Sequence, residues 1–168
     1  NRASAKGQYT VSLFDSPNGP LLCGHDLGGK GLLLRLGAKT GGANREGDSR
    51  VQRNLVVATI DSLARQHPER FRDRDVVLLA PAGGPQFGSW SAASVVEWQS
   101  SLGTAPFLSR TGARFVMATS QEQGLAALDA NRSAVILNPF GETFPLGDPT
   151  TWQATMDKVR EYVRAGGY

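Results

Sequence analysis

The stretch Asp75-Val-Val-Leu-Leu-Ala80, followed at once by Pro81-Ala-Gly-Gly-Pro85, decides the fold of this chain. A continuous apolar run of this length is typical of a strand that is covered on both faces, as in a parallel sheet. The proline and glycine residues that follow predict that the strand ends at Ala80. A second run, Ala134–Leu137, predicts another buried strand. We therefore expect a mostly parallel sheet.

Helical patterns alternate with these strands. Apolar residues on one broad face predict a helix that is capped by Asp48 or Ser49 and ended by His67-Pro68. The remaining predicted elements are a helix over Ser91–Leu102, a strand over Arg114–Ala118, a helix over Gln121–Ala130 and a last helix that ends at Gly166-Gly167. This order favours βαβ units, and so an α/β fold with helices on both faces of the sheet.

The N-terminal third has a different pattern. Tyr9–Asp15 alternates like a strand, and Ser16–Pro20 is a strong turn signal. The next apolar residues suit a short helix or a buried strand equally well, and we expect a helix from about Gly29 to Leu36. Gly37–Arg50 is polar and rich in glycine, which predicts a long surface loop.

Length and composition limit the class of protein. A chain of 168 residues fits a single domain over residues 1–168, and 40% hydrophobic with 20% charged residues is ordinary for a soluble globular protein. A net charge of +3 with dispersed arginines gives little support for nucleic-acid binding. No apolar run approaches the roughly 20 residues of a membrane helix. We expect neither nucleic acid nor a membrane as partner.

The single cysteine, Cys23, excludes an internal disulfide and a multi-cysteine zinc site, but it leaves a reactive thiol open. No metal or cofactor is implied by any motif. Because the chain starts at Asn1, a processed secreted protein and one piece of a longer protein both fit the sequence, and its compartment stays open.

Candidate catalytic residues stand together in Cys23-Gly24-His25-Asp26. A histidine can take the thiol proton and an acid can orient that histidine, and residues two apart in an extended segment share a side. The alternative is that Cys23 is a small buried hydrophobe and that His25 and Asp26 cap the next segment.

Candidate ligand-binding residues follow the predicted strands, because open α/β sheets bind ligands beyond the carboxyl ends of their strands. A carboxylate, an amide and an exposed aromatic ring could face a ligand there, although turn-forming and solvated roles are equally open to them. These candidates are Asp15, Gly83, Gly84, Trp90, Asn138 and Glu142.

Three segments carry a resemblance to a known family, namely Asp75–Gly84, Ser133-Ala-Val-Ile-Leu-Asn-Pro-Phe-Gly-Glu142 and Lys158–Gly167. They resemble the class I glutamine amidotransferase-like superfamily, including its ThuA-like and glycosidase-associated members. The resemblance implies a flavodoxin-like or amidotransferase-like α/β fold. In catalytic members the nucleophilic cysteine follows the strand after such a helix, whereas this sequence stops at Tyr168 and Cys23 is elsewhere. The resemblance therefore carries no amidotransferase activity to any residue here.

Three functions follow as hypotheses. The first is an amidotransferase-like domain, not catalytic by itself, that binds a small polar or carbohydrate-type ligand, or a partner chain at the open sheet edge. The second is an amide or ester hydrolase in which Cys23 is the nucleophile, His25 the base and Asp26 or Glu142 the orienting acid. The third is an assembly domain that uses an open sheet edge.

Overall fold

A computed structural model describes residues 11–16, 19–25, 30–36, 45–80, 92–139 and 152–168. Strands occupy the first part of the chain, and helices alternate with strands after that. In chain order the elements are β1 (Val11–Ser16), β2 (Gly19–His25), β3 (Leu33–Leu36), α1 (Arg45–Gln66), α2 (Pro68–Phe71), β4 (Asp75–Leu79), α3 (Ala92–Gly103), α4 (Pro106–Thr111), β5 (Arg114–Ala118), α5 (Gln121–Ala127), β6 (Ser133–Leu137) and α6 (Trp152–Arg164).

Two separate three-stranded sheets are present in the described part of the chain. The first is antiparallel with the order β1-β2-β3, and the second is parallel with the order β5-β4-β6. The α/β class is confirmed, and a parallel sheet is present, but it has only three of the described strands and does not include β1, β2 and β3. The expectation that strand and helix alternate throughout is wrong for the N-terminal third, where three strands follow one another before the first helix.

The predicted helix over Gly29–Leu36 is wrong. Leu33–Leu36 is strand β3, which pairs with β2 in a regular register from His25↔Leu33 to Leu22↔Leu36. Leu33 is 42% exposed, whereas Leu34 packs against the main core, which is the alternation of a strand. Pairing with β2 and this packing outweigh the weak local preference of a leucine run.

The predicted loop over Gly37–Arg50 is also wrong in its second half, since α1 begins at Arg45. Asp48 and Ser49 are therefore inside the helix and do not cap it. Residues 37–44, the rest of that predicted loop, lie outside the described residues.

The other predicted elements are confirmed with small shifts at their ends. The strand over Arg114–Ala118 has the predicted bounds, β4 ends one residue early at Leu79, and α5 ends at Ala127 rather than Ala130. The short helices α2 and α4 were not predicted. Each has proline at its start, where the missing N–H costs nothing.

Helices cover both faces of the parallel sheet. All five residues of β4 are buried. On the first face Val76 and Leu78 belong to the main core, together with residues of α1, α3 and α4 that include Ile60, Trp98 and Phe107. On the second face Val77 and Leu79 pack with Ala127 of α5. Trp98 of α3 is buried in this core.

Tyr168 extends the parallel sheet beyond β6. Its N–H donates to the Ala134 carbonyl at 3.0 Å and its carbonyl accepts from the Ile136 N–H at 2.8 Å, which is the pattern of a parallel strand pair. The ring stacks on Phe71 with 6.2 Å between centroids, and the phenol oxygen accepts from Arg70 at 2.5 Å. Burial raises the pKa of the Tyr168 phenol, although Arg70 opposes the shift.

The antiparallel sheet is attached at the end of α6. The N–H groups of Lys30 and Gly31 donate to the carbonyls of Arg164 and Val163, each at 3.0 Å. Carbonyls in the last turn of a helix have no partner within the helix. The segment before β3 therefore caps α6 and joins the two sheets.

Candidate functional site

The region beyond the carboxyl ends of β4 and β6, at Ala80 and Asn138, is a topological switch point of the parallel sheet and is called the crevice below. From β4 the chain passes through α3 and α4 on the first face and returns as β5, on the side of β4 away from β6. From β6 it passes through α6, whose Tyr162 and Val163 pack with Ile136 on the second face, to Tyr168 on the side of β6 away from β4. Neighbouring strands thus send their chains in opposite directions, and ligands of open α/β sheets bind at such a switch point.

Asn138 is the polar residue that the structure describes at this crevice. It directly follows β6, is half-buried, and is followed by the buried Pro139. Ala80, the residue that directly follows β4, is also half-buried and donates its N–H to the Ala118 carbonyl at 2.9 Å. An amide side chain therefore stands beside the position where two strand ends part.

Two sequence segments start at the crevice, residues 81–91 after β4 and residues 140–151 after β6. Four of the predicted ligand-binding residues belong to them, namely Gly83, Gly84, Trp90 and Glu142. These four lie outside the described residues, as does Asp26 of the predicted catalytic group. Their assignment to the site stays a prediction.

The end of β5 has a structural role. The Ser120 hydroxyl accepts from the Gln123 N–H at 3.2 Å, and the Gln123 side-chain oxygen accepts from the Thr119 N–H at 2.8 Å. The first bond satisfies one of the free N–H donors at the start of α5, and the second ties the residue before the N-cap to the same turn. Thr119 and Ser120, which also follow a predicted strand, therefore stabilise the first turn of α5.

Asp15, Cys23 and His25 belong to the antiparallel sheet. Asp15 lies within β1 opposite Pro20, Cys23 lies on β2 opposite Ser12 and Arg35, and His25 lies opposite Leu33. They stand within strands rather than after the carboxyl ends of the parallel ones. The structure therefore keeps Cys23 and His25 on one strand, two positions apart, and places Asp15 and His25 in a different sheet from the strand that leads to Asn138.

An ion-pair cluster around the buried Asp75, at the amino end of the parallel sheet, was not predicted. The Asp75 side chain is 6% exposed, and its carboxylate accepts from Arg114 Nε at 2.9 Å and from Arg132 Nε at 3.4 Å. The sequence signal for this cluster was Asp75 itself, a charged residue at the start of an apolar run, because a buried charge needs a partner of opposite charge. The two arginines satisfy Asp75, so we interpret this cluster as structural.

The chain has no match among known protein families, curated proteins or solved structures. The candidate site therefore depends on the geometry and the sequence of this chain. Among the described residues, no group of three or more His, Cys, Asp or Glu side chains could hold a metal ion. None of the described helices is both long enough and apolar enough to cross a bilayer.

Proposed function

We propose that this chain binds a small polar ligand of the carbohydrate type in the crevice between the carboxyl ends of β4 and β6. The observation that carries the proposal is the opposite departure of the chain from these two neighbouring strands. In this view the domain binds its ligand and is not catalytic by itself.

The residue types around the crevice suit a ligand with many hydroxyl groups. The Asn138 amide can donate and accept hydrogen bonds at once, as a sugar hydroxyl can. In the segments that follow the two strands, Gly83 and Gly84 would let backbone N–H groups approach a ligand, Trp90 would offer a stacking surface, and Glu142 would accept hydrogen bonds. An apolar surface with a few polar groups is typical of small-molecule sites.

Titration of isotope-labelled protein with a panel of neutral mono- and disaccharides, followed by amide chemical shifts, tests the proposal. We expect the largest shifts at Ala80 and Asn138, and Asn138→Ala should weaken binding about fivefold, since a lost hydrogen bond to a ligand costs about 1 kcal/mol. The matched control is Asn131→Ala, which removes an exposed amide near the amino end of the same strand. Equal effects of the two variants, or no shift with any sugar, would contradict the proposal.

An amide or ester hydrolase is the second candidate, and the placement of Cys23 and His25 two residues apart on β2 favours it. His25 would take the thiol proton, and Asp26 or Glu142 would orient the imidazole. Turnover of an activated ester should then be lost in Cys23→Ala and in His25→Gln, while sugar binding persists. Unchanged turnover in Cys23→Ala would exclude this candidate and leave the binding proposal intact.

A further inference from the structure

In the described part of the chain, β5 has no strand on its outer side. The Arg114 N–H donates to the Arg74 carbonyl, and the Ala80 N–H donates to the Ala118 carbonyl, each at 2.9 Å. Because backbone groups alternate along a strand, residues 114, 116 and 118 bond to β4. The N–H and carbonyl groups of Phe115 and Met117 therefore point away from the sheet.

An apolar surface lies beside this edge. Val96 of α3 is 62% exposed, although it is a large apolar residue. A shallow, open depression is lined by Val96, Gln99, Ser100, Gly103, Thr104 and the half-buried Phe115. An unpaired strand edge next to exposed apolar residues is a typical site for pairing with another chain.

We propose that this edge joins a second copy of the same chain, with β5 pairing antiparallel to β5 across a two-fold axis at Val116. In that register Phe115 stands opposite Met117 of the second copy, and the two residues exchange both backbone hydrogen bonds. The same pair recurs on the other side of the axis. The outward groups of β5 thus complement themselves, as the interface of a two-fold dimer requires.

Charge at the two ends of β5 favours a second copy as the occupant. Arg114 begins the strand with a side chain that is 65% exposed. Glu122 is exposed in the first turn of α5, four residues after β5 ends at Ala118. An antiparallel arrangement brings the basic end of each strand to the acidic end of the other, so opposite charges approach twice.

Disulfide cross-linking tests the register. In a non-hydrogen-bonded antiparallel pair the Cα atoms are about 4.5 Å apart, which is within the range of a disulfide. Val116→Cys in a Cys23→Ser background should therefore form a covalent dimer under mild oxidation. The matched control, Ala154→Cys in the same background, places an exposed cysteine on α6, whose Tyr162 and Val163 pack with Ile136 of β6 on the other side of β4 from β5. Cross-linking of both variants to the same extent, or of neither, would overturn the proposed pairing.

Light scattering after size-exclusion chromatography tests the association without cross-linking. The chain of 17.9 kDa should approach twice that mass as its concentration rises. Val96→Lys places like charges near the axis and should lower the association constant about tenfold or more, whereas Ala154→Lys on the exposed side of α6 should leave it unchanged. Both variants change exposed residues and should fold. If the unaltered protein has the mass of one chain at every concentration, the dimer is refuted.

Discussion

Single residues at the end of α6 show how closely the two sheets approach. A Cβ atom on Gly31 would lie 2.0 Å from the Gly167 carbonyl oxygen and 2.4 Å from that of Val163. Gly166 has a φ of 117°, which favours glycine, and a Cβ atom on Gly167 would meet the Tyr162 ring. Three glycines therefore form the junction. From the sequence they indicated only a weak helix and a helix end, because a contact between distant backbones leaves no local pattern.

Gly31→Ala should destabilise the fold by about 3 kcal/mol or more, because its new methyl group meets backbone carbonyls that cannot move without breaking the cap of α6. Gly24→Ala is the matched control, since its nearest neighbours are the Leu32 and Leu34 side chains at 3.5 and 3.6 Å, which is ordinary contact. Urea unfolding of both variants measures the difference. Similar midpoints for the two would show that the junction relaxes easily.

Between elements, Asp61 ties α1 to α4. Its carboxylate accepts from Arg110 of α4 at 2.7 Å and from Arg65, one turn along α1, at 2.8 Å. These hydrogen bonds, first that from Arg110 and then that from Arg65, lower the pKa of the Asp61 carboxyl below its ordinary value of 3.8. The charged form is therefore favoured in the folded state, and its stabilising effect is present above pH 3.8 and lost as the pH falls through the lowered pKa.

A double-mutant cycle with Asp61→Asn and Arg110→Gln should give a coupling free energy of about 0.5–1 kcal/mol at pH 7, because the pair is partly exposed. The same cycle with Arg65→Gln should give about 0.3–0.5 kcal/mol, as for other pairs one turn apart on a helix. Unfolding experiments over a series of pH values from 7 downward, at low and at high salt, provide the measurement, and the coupling should decrease as the pH falls through the lowered pKa of Asp61. A coupling that changes neither over this series nor in high salt would show that charge is not its source.

The elements that the sequence predicted best are those whose pattern arises from their own burial. Their periodicity can be read from consecutive residues, as in β4, β5, β6 and the apolar faces of α1, α3 and α6. β3 was predicted as a helix because its strand character comes from pairing with β2. α2 and α4 were missed because helices of 4 and 6 residues are too short to show a period.

In the whole molecule, strand order could not be predicted, because it depends on which strands pair and not on the pattern within each. The order β5-β4-β6 with Tyr168 beside β6 is what creates the switch point at Asn138. The sequence singled out Asn138 by the rule that ligands bind after parallel strands. The same rule also selected Asp15, which lies within an antiparallel strand, because the direction of pairing is invisible in the strand pattern.

The amino end of the parallel sheet is held together by Asp75, which begins β4 and joins Arg114 of β5 to Arg132, the residue before β6. Asp75→Asn should lower the free energy of unfolding by about 2 kcal/mol. The full cost of an orphaned buried charge does not arise, because the Arg114 and Arg132 side chains are 65% and 55% exposed and regain water. Arg132→Gln should cost less than about 1 kcal/mol, since its contact is longer at 3.4 Å.

Chemical denaturation at neutral pH measures these differences, with Asp157→Asn as the control. Asp157 forms an exposed pair with Arg160 on α6, so its loss should cost no more than about 0.5 kcal/mol. If Asp75→Asn cost as little as this control, pairing of β4 with its neighbours and the apolar core would hold the three strands without the carboxylate. A cost near 2 kcal/mol that falls when Arg114 is already replaced by Gln would instead show that the ion pair between Asp75 and Arg114 stabilises the amino ends of the strands.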